Sequence, residues 1–257
     1  MILACGVADE PVLRWFLAHL VANGDEFHFL DDRDLGERAR LDLRVVDGRP
    51  SGRIDYGAWS VELDSVTGVF NRSGISGVGG GTGPDRSALR LFLETFPGPV
   101  VNRPSAASNL SKPCQYGAIL HVGLDVPPTL AGGGSGALRA FRERYGPLVV
   151  KSTSSERSVV KVPSAAELDR LDGEGLLPPH QFQARLRGTN VRVHVVGSRA
   201  LACRMETEAL DYRYAASHGH SLRFQATRLP ERVEEACVRL AALLSLNFAG
   251  IDLLEDE

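Results

Sequence analysis

Residues 189 to 197, TNVRVHVVG, alternate in polarity: Val191, Val193 and Val195 fall on one side of an extended chain, Asn190, Arg192 and His194 on the other. Period two marks a strand with one face in a core. Gly197-Ser198 then turns the chain into RALACRME, which predicts a hairpin on which Arg192, His194 and Arg204 line one polar surface. Upstream, FQARL alternates too and reads as an entry into the same sheet. A helix over 231–246 and a strand AGIDLL over 249–254 follow.

The opening of the chain reads as strand (2–7), helix (11–23) and strand (26–30), a βαβ start with Pro11 in the first helical turn and Gly24 just past the end. LRVV and GRIDY flank the turn DGRPSG as a hairpin, VTGVFNR reads as a further strand, and PDRSALRLFLETF as a helix. SGISGVGGGTGP (73–84) is rich in glycine, but no helix follows at the spacing of a dinucleotide fingerprint or a P-loop, so it reads as a loop. GGGSG lacks the G-x-S-x-G spacing of a nucleophile elbow and reads as a loop as well.

Between the two regions, Pro113 opens a predicted helix to about Gly123 with Lys112 at its N-terminal edge, where helix dipole and lysine both favour an anion. A helix over 137–145 precedes LVVKSTSSERSVVKV (148–162), two strand-like runs around a Ser/Thr-rich loop, and a short helix near 164–171 follows. The sequence holds only three lysines, Lys112, Lys151 and Lys161, among 29 basic residues. An ammonium is a compact point charge suited to a phosphate, whereas guanidinium is a planar fork, so the surviving lysines mark candidate anion contacts.

Length and charge narrow the options. At 257 residues there is room for one large domain or two to three small ones. A formal charge of −3 gives no global basic field, which argues against nucleic acid as a partner and makes any anion site local. Cys5, Cys114, Cys203 and Cys237 are scattered without C-x-x-C spacing, as structural thiols in a reducing compartment would be. The first apolar run meets Asp9 and Glu10, and no apolar stretch reaches membrane-spanning length, so a cytoplasmic protein without a membrane partner is expected.

Taken in order, Lys112 before a helix, Lys151 at the end of a strand, FQARLRGTNVRVHVVG, DYRY (211–214) and FAGIDLLED resemble the ATP-grasp ligases. The branch they resemble most is that of the ribosomal peptide maturases, the microviridin-type graspetide synthetases, with the RimK-like S6-modifying glutamate ligases as cousins. The resemblance runs from about residue 100 to the end. It implies an α/β (α+β) protein: a small pre-ATP-grasp α/β domain over 1–98, then an ATP-grasp domain over 99–257 with a lid at about 125–185.

The function so implied is ATP- and Mg2+-dependent ligation, in which the carboxylate of a peptide or small molecule is phosphorylated and the acyl phosphate passes to an amine or hydroxyl. By resemblance, Lys112 and Lys151 contact the nucleotide, and Gln183, Ala184, Arg185 and Leu186 form a hinge offering backbone groups to adenine. Arg192 steadies the transferring phosphoryl group with Arg204 assisting, and Asp252 binds magnesium. Lys161 matches no role and reads as a surface lysine. Three departures stand out: STSSERS has no glycine, Asn190 replaces an aspartate, and the E-x-N-P strand that would complete the magnesium site is not found before Glu257. A C-terminally truncated ATP-grasp domain is therefore expected. Two classes of function follow, a ligase or a non-catalytic, partner-dependent binding module whose C-terminal sheet another chain completes.

Overall fold

The computed structural model of the protein describes residues 1–57, 59–74, 83–106, 112–133, 136–152, 160–174, 180–209, 212–215, 217 and 219–256. The chain divides into two compact units, Met1–Ala106 with Ser245–Asn247, and Ala107–Leu244 with Phe248–Glu257. No helix among the described residues is long and apolar enough to cross a membrane.

The first unit joins a parallel sheet to an antiparallel one. Strands β1 (Ile2–Gly6), β2 (Phe27–Asp31), β6 (Gly68–Asn71) and β7 (Val100–Val101) pair in parallel in the order β2-β1-β6-β7. The antiparallel sheet is β3 (Ala39–Val46), β4 (Arg49–Tyr56) and β5 (Trp59–Glu62). Leu3, Cys5 and Leu30 from the first sheet, Leu41 and Ile54 from the second, and Leu89, Phe92 and Leu93 of α2 (Pro84–Thr95) share one core. Parallel strands require crossover connections, and α1 (Pro11–Asn23) supplies the first between β1 and β2. The short strands β5 and β7 carry too little pattern to be read from sequence.

Glu10 ties this unit together. Its carboxylate accepts the Leu13 N–H (2.7 Å), capping α1, and also takes the Arg72 guanidinium that follows β6 at 2.6 and 3.2 Å. Burial by itself would raise the Glu10 carboxyl, but the Arg72 hydrogen bond, the Leu13 amide and the charge of Arg72 outweigh it and hold the group below its ordinary value.

The second unit carries two separate sheets. One is β8 (Thr129–Ala131), β9 (Leu148–Ser152) and β10 (His180–Ala184), antiparallel in the order β8-β10-β9. Leu138 of α4 (Ala137–Tyr145) and Leu168 of α5 (Ala165–Glu174) pack on Leu148 and Phe182, so two amphipathic helices cover one face. The other sheet is β11 (Thr189–Val196), β12 (Arg199–Glu206), β13 (Arg223–Thr227) and β14 (Phe248–Glu255), antiparallel in the order β13-β12-β11-β14. Val191, Val193 and Val195 are fully buried. Ile251, opposite Val193, packs with Val122 and with Ala236 and Leu240 of α6 (Glu231–Leu243).

Three expectations change. FQA belongs to β10 of the first of these sheets and not to the sheet of β11; the chain leaves β10 and enters β11 past Gly188, where φ is +151° and a Cβ would stand 2.2 Å from the Glu255 carbonyl. The second apolar run of LVVKSTSSERSVVKV shows, among the described residues, one bridge, Lys161 against Val150, on the edge of β9 away from β10. The helix expected over 113–123 is a 3-10 turn (Lys112–Gln115) followed by α3 (Tyr116–His121), a tightening that is frequent at helix N-termini. Most of the glycine-rich segment 73–84, part of GGGSG and most of the Ser/Thr loop after β9 lie outside the described residues.

Replacing Glu10 by Ala removes a cap and an ion pair together, an expected loss of about 1–3 kcal/mol in the first unit. Because the folded-state carboxyl is depressed, its stabilisation is present above the ordinary value of 4.5 and lost as pH falls through the lower folded value. Chemical unfolding at stepwise lower pH should show a steeper decline for the wild type than for Glu10→Ala, and parallel curves would refute this account.

Candidate functional site

In an antiparallel pair, residues directly opposite point to the same face. Arg192 of β11 lies between Asp252 of β14 and Cys203 of β12, and His194 lies opposite Gly250. The face turned away from the valines therefore carries Arg192, His194, Cys203, Gly250 and Asp252. Its centre is an ion pair: Arg192 Nη1 donates to Asp252 Oδ1 at 2.8 Å, and the Tyr212 hydroxyl donates to the same oxygen at 3.1 Å. Both partners keep contact with solvent, with side-chain exposures of 30% and 54%, so the pair can be approached.

His194 stands beside it, with Arg192 Nε 3.4 Å from its Nε2 and its ring stacked on Phe248 at 5.7 Å between centroids. Burial first, then the charge of Arg192, lower the His194 pKa, and Asp252 opposes them only in part. The ring is therefore neutral near pH 7, which leaves a nitrogen lone pair able to accept from Arg192.

Arg204 departs from the expectation that it shares this surface. It lies opposite Val191, on the valine side, and its Nη2 is 2.5 Å from Glu255 Oε2, a residue on the same side opposite Thr189. A slip of one position in a period-two pattern places a side chain on the other face, and in RALACRME the alternation is too weak to fix that phase.

The other sheet of this unit also has a polar face. On β10, Phe182 points toward Leu130 and Val150 in the helix-covered core, while Gln181 lies opposite Lys151 and Ala131, and Gln183 opposite Val149 and Thr129. Tyr116 of α3 binds both glutamines: its hydroxyl donates to Gln181 Oε1 at 3.2 Å and accepts from Gln183 Nε2 at 2.5 Å. Gln183 Nε2 also donates to Thr129 Oγ1 at 3.1 Å. Gln181 Nε2, fully buried, has no partner among the described residues. Lys161, opposite Val150, belongs to the other face.

The segment leaving β10 is partly committed. The Ala184 N–H donates to Pro128 O (3.0 Å) and the Arg185 N–H to Pro147 O (2.8 Å), whereas the Leu186 N–H has no backbone partner among the described residues. Of the amides at 184–186, Leu186 is the one left to serve a ligand. The Lys112 side chain, Asp211 and His218 lie outside the described residues.

No family profile and no curated protein matches the chain. Solved structures do. The ATP-grasp ligase PsnB, complexed with minimal precursor, superposes with a TM-score of 0.77 at 25% identity over 99% of this chain and 86% of that one. This chain has the ATP-grasp fold. A Chryseobacterium gregarium RiPP-associated ATP-grasp ligase in complex with ADP and a leader and core peptide gives 0.79 at 20% identity, covering 99% of this chain and 85% of that one. The macrocyclase MdnC of Microcystis aeruginosa, bound with the precursor peptide MdnA, gives 0.75 at 18% identity over 100% and 88%.

Within the ATP-grasp fold, the candidate residues fall into two groups. Arg192 and Asp252 meet directly, and Lys151 shares a face with Gln183, while Arg204 stands apart. Sequence reasoning passed over Tyr116, Gln181, Thr129 and Gly250. For Gln181 the signal was present, since the alternation His-Gln-Phe-Gln-Ala puts both glutamines on one side; for Tyr116 there was none, because it comes from a separate helix.

Tyr116→Phe removes the hydroxyl that joins both buried glutamines and is expected to destabilise the protein by about 1–3 kcal/mol, the penalty for leaving buried amide groups unpaired. Urea unfolding midpoints of the wild type and Tyr116→Phe measure it, and equal midpoints would show that the amides find other partners.

Proposed function

We propose that the protein is an ATP-dependent ligase that activates a carboxylate of a peptide, or of a small acid, and joins it to an amine or hydroxyl. The observation that carries this reading is the Arg192–Asp252 pair, an exposed cation and carboxylate side by side on a rigid sheet of the ATP-grasp fold. The similarity to ligases complexed with precursor peptides supports a peptide as substrate.

The reaction has two steps. An oxygen of the substrate carboxylate attacks the γ-phosphorus of ATP, and the bond to the β-γ bridging oxygen breaks, so ADP leaves and an acyl phosphate forms. The amine or hydroxyl then attacks the carbonyl carbon, phosphate departs with the bonding pair, and the nucleophile loses its proton. Positioning and positive charge are what such a transfer requires. Arg192, planar and permanently charged, would bind the transferring phosphoryl oxygens, and Lys151 the phosphates or adenine from the other sheet. Lys112 would do so from the start of its turn, and the Leu186 N–H, with the backbone of Gln183, Ala184 and Arg185 shaping the hinge, would read the base.

Asp252 is suited to a magnesium ion, being a half-exposed carboxylate beside the phosphoryl-facing arginine; magnesium is commonly held by one or two carboxylates together with phosphate oxygens. The ion would supply charge neutralisation on the β- and γ-phosphates. Arg204, tied to Glu255 on the far face, is left without a direct part. Cytoplasmic residence fits the cysteines, which form no disulfide: burial drives the Cys5 thiol far up and Cys237 up to about 11, so neither is a nucleophile near neutral pH.

A second reading, a binding module that works with a partner chain, is favoured by the place of β14 at an edge of its sheet among the described residues. A partner strand added there would extend the sheet beside Asp252.

Titration with MgATP separates residues from bystanders. Lys151→Ala is expected to weaken binding by about 10- to 100-fold, the worth of one charged hydrogen bond, while Lys161→Ala leaves it unchanged. Equal losses for the two would refute the placement of the nucleotide. Incubating the protein with MgATP and acidic peptides, then weighing them by mass spectrometry, tests the ligase itself. Water loss or residue addition is expected, and nucleotide binding without any product would favour the binding module.

A further inference from the structure

We propose that Gly250 is a positioning residue that sets the orientation of the Arg192 guanidinium, completing a cradle formed with His194, Phe248 and Asp252. The proposal rests on the reading of Arg192 as the phosphoryl-facing cation and deepens it. Gly250 sits in the interior of β14, opposite His194 and on the face of Asp252. Glycine weakens a strand interior, so its presence there calls for a reason. The backbone does not provide one, because Gly250 is not among the glycines with positive φ.

The reason is space. A Cβ at Gly250 would stand 2.0 Å from Arg192 Nη2, 2.6 Å from Cζ and 3.2 Å from Nε. The guanidinium thus lies directly against a bare Cα. Its other sides are occupied as well: Nη1 is held by Asp252 at 2.8 Å, Nε faces the neutral His194 ring at 3.4 Å, and Phe248 stacks against that ring with planes 8° apart. Floor, side and end of the fork are each set by a different residue. An arginine on an open strand would sample several rotamers and give up entropy at each engagement; one laid in this cradle has its donors pre-oriented.

A side chain at 250 would not break the sheet. The atoms it meets are the far end of a flexible side chain, so the guanidinium would move and leave the backbone in place. Gly250→Ala should therefore behave as a displaced arginine in a folded protein, with Arg192 lifted away from Asp252.

A double-mutant cycle tests this without any knowledge of the peptide. Thermal unfolding is measured for the wild type, Gly250→Ala, Arg192→Ala and the double variant. In the Arg192→Ala background, alanine at 250 is expected to leave the melting temperature unchanged or raise it, since strands favour alanine over glycine. With Arg192 present the same substitution is expected to lower it. The same shift in both backgrounds would overturn the proposal.

The functional arm uses MgATP hydrolysis and MgADP binding. Gly250→Ala is expected to lower turnover at saturating MgATP by about 10- to 100-fold, toward the level of Arg192→Ala, with MgADP affinity changed far less and no further loss in the double variant. Wild-type turnover in Gly250→Ala beside a crippled Arg192→Ala would also overturn the proposal. If Arg192→Ala turns over normally, or the wild type does not turn over at all, the role given to Arg192 in the reaction fails, and the thermal cycle alone decides whether the cradle exists.

Discussion

The register between β11 and β14 is the constraint on which the candidate site depends. Eight residue pairs, from Thr189–Glu255 to Val196–Phe248, are locked by burial of the valines on one face, and that burial is what phases the other face. A shift of one residue would turn Arg192 toward α6 and expose Val193, exchanging a solvated cation for a buried one. Burying a single valine side chain is worth about 1.5–3 kcal/mol, and Val191, Val193 and Val195 act together, so no competing register is near in energy. The Arg192–Asp252 pair contributes little to stability by comparison, since exposed ion pairs are worth about 0–1 kcal/mol. The hydrophobic face therefore holds the polar one in place.

The same division operates in the sheet of β8, β9 and β10. Phe182, buried among Leu138, Leu148 and Leu168, fixes the phase of β10 and so turns Gln181 and Gln183 to the side of Lys151. There the polar groups are buried rather than solvated, and a different rule applies: each amide must find a partner or carry a penalty. Tyr116 meets most of that demand with one hydroxyl, and Gln181 Nε2 is left without a partner among the described residues. Its side of the sheet is thus better ordered than a row of solvent-facing side chains, and Lys151 is placed against a fixed background.

How far the sequence could be read follows from these two cases. Strong periodicity identified β11, the boundary residues Pro11 and Gly24 identified α1, and turn residues between two apolar runs identified the hairpin β3–β4. Arg192 was legible from the alternation of its strand and from a resemblance to a known family, and Asp252 from that resemblance alone. Arg204 was not, because its strand mixes Ala, Leu and Cys, and only pairing with β11 decides which way it points. Tyr116 and Gly250 were hidden for another reason. Each matters through a neighbour distant in sequence, Tyr116 through glutamines more than sixty positions away and Gly250 through an arginine on the adjacent strand. Local pattern reports the face of an element and is silent about what crosses from one element to another.

The sparing use of lysine in an arginine-rich chain acquires a physical sense from these surroundings. At position 192 three properties of guanidinium are used at once: Nη1 reaches a carboxylate, Nε faces an imidazole, and the flat Cζ plane rests on a glycine. An ammonium has no plane to rest and no fixed angle between its donors, so lysine there would keep the charge and lose the orientation. Lys151 lies in contrary surroundings, directly opposite Gln181 on a face lined by carboxamides and hydroxyls. A compact ammonium can approach a phosphate or a ring nitrogen there without displacing that network, where a five-donor fork would compete for its oxygens. Fork at one sheet and point charge at the other are what two different tasks on one nucleotide would require: orienting the group that moves, and holding the part that stays.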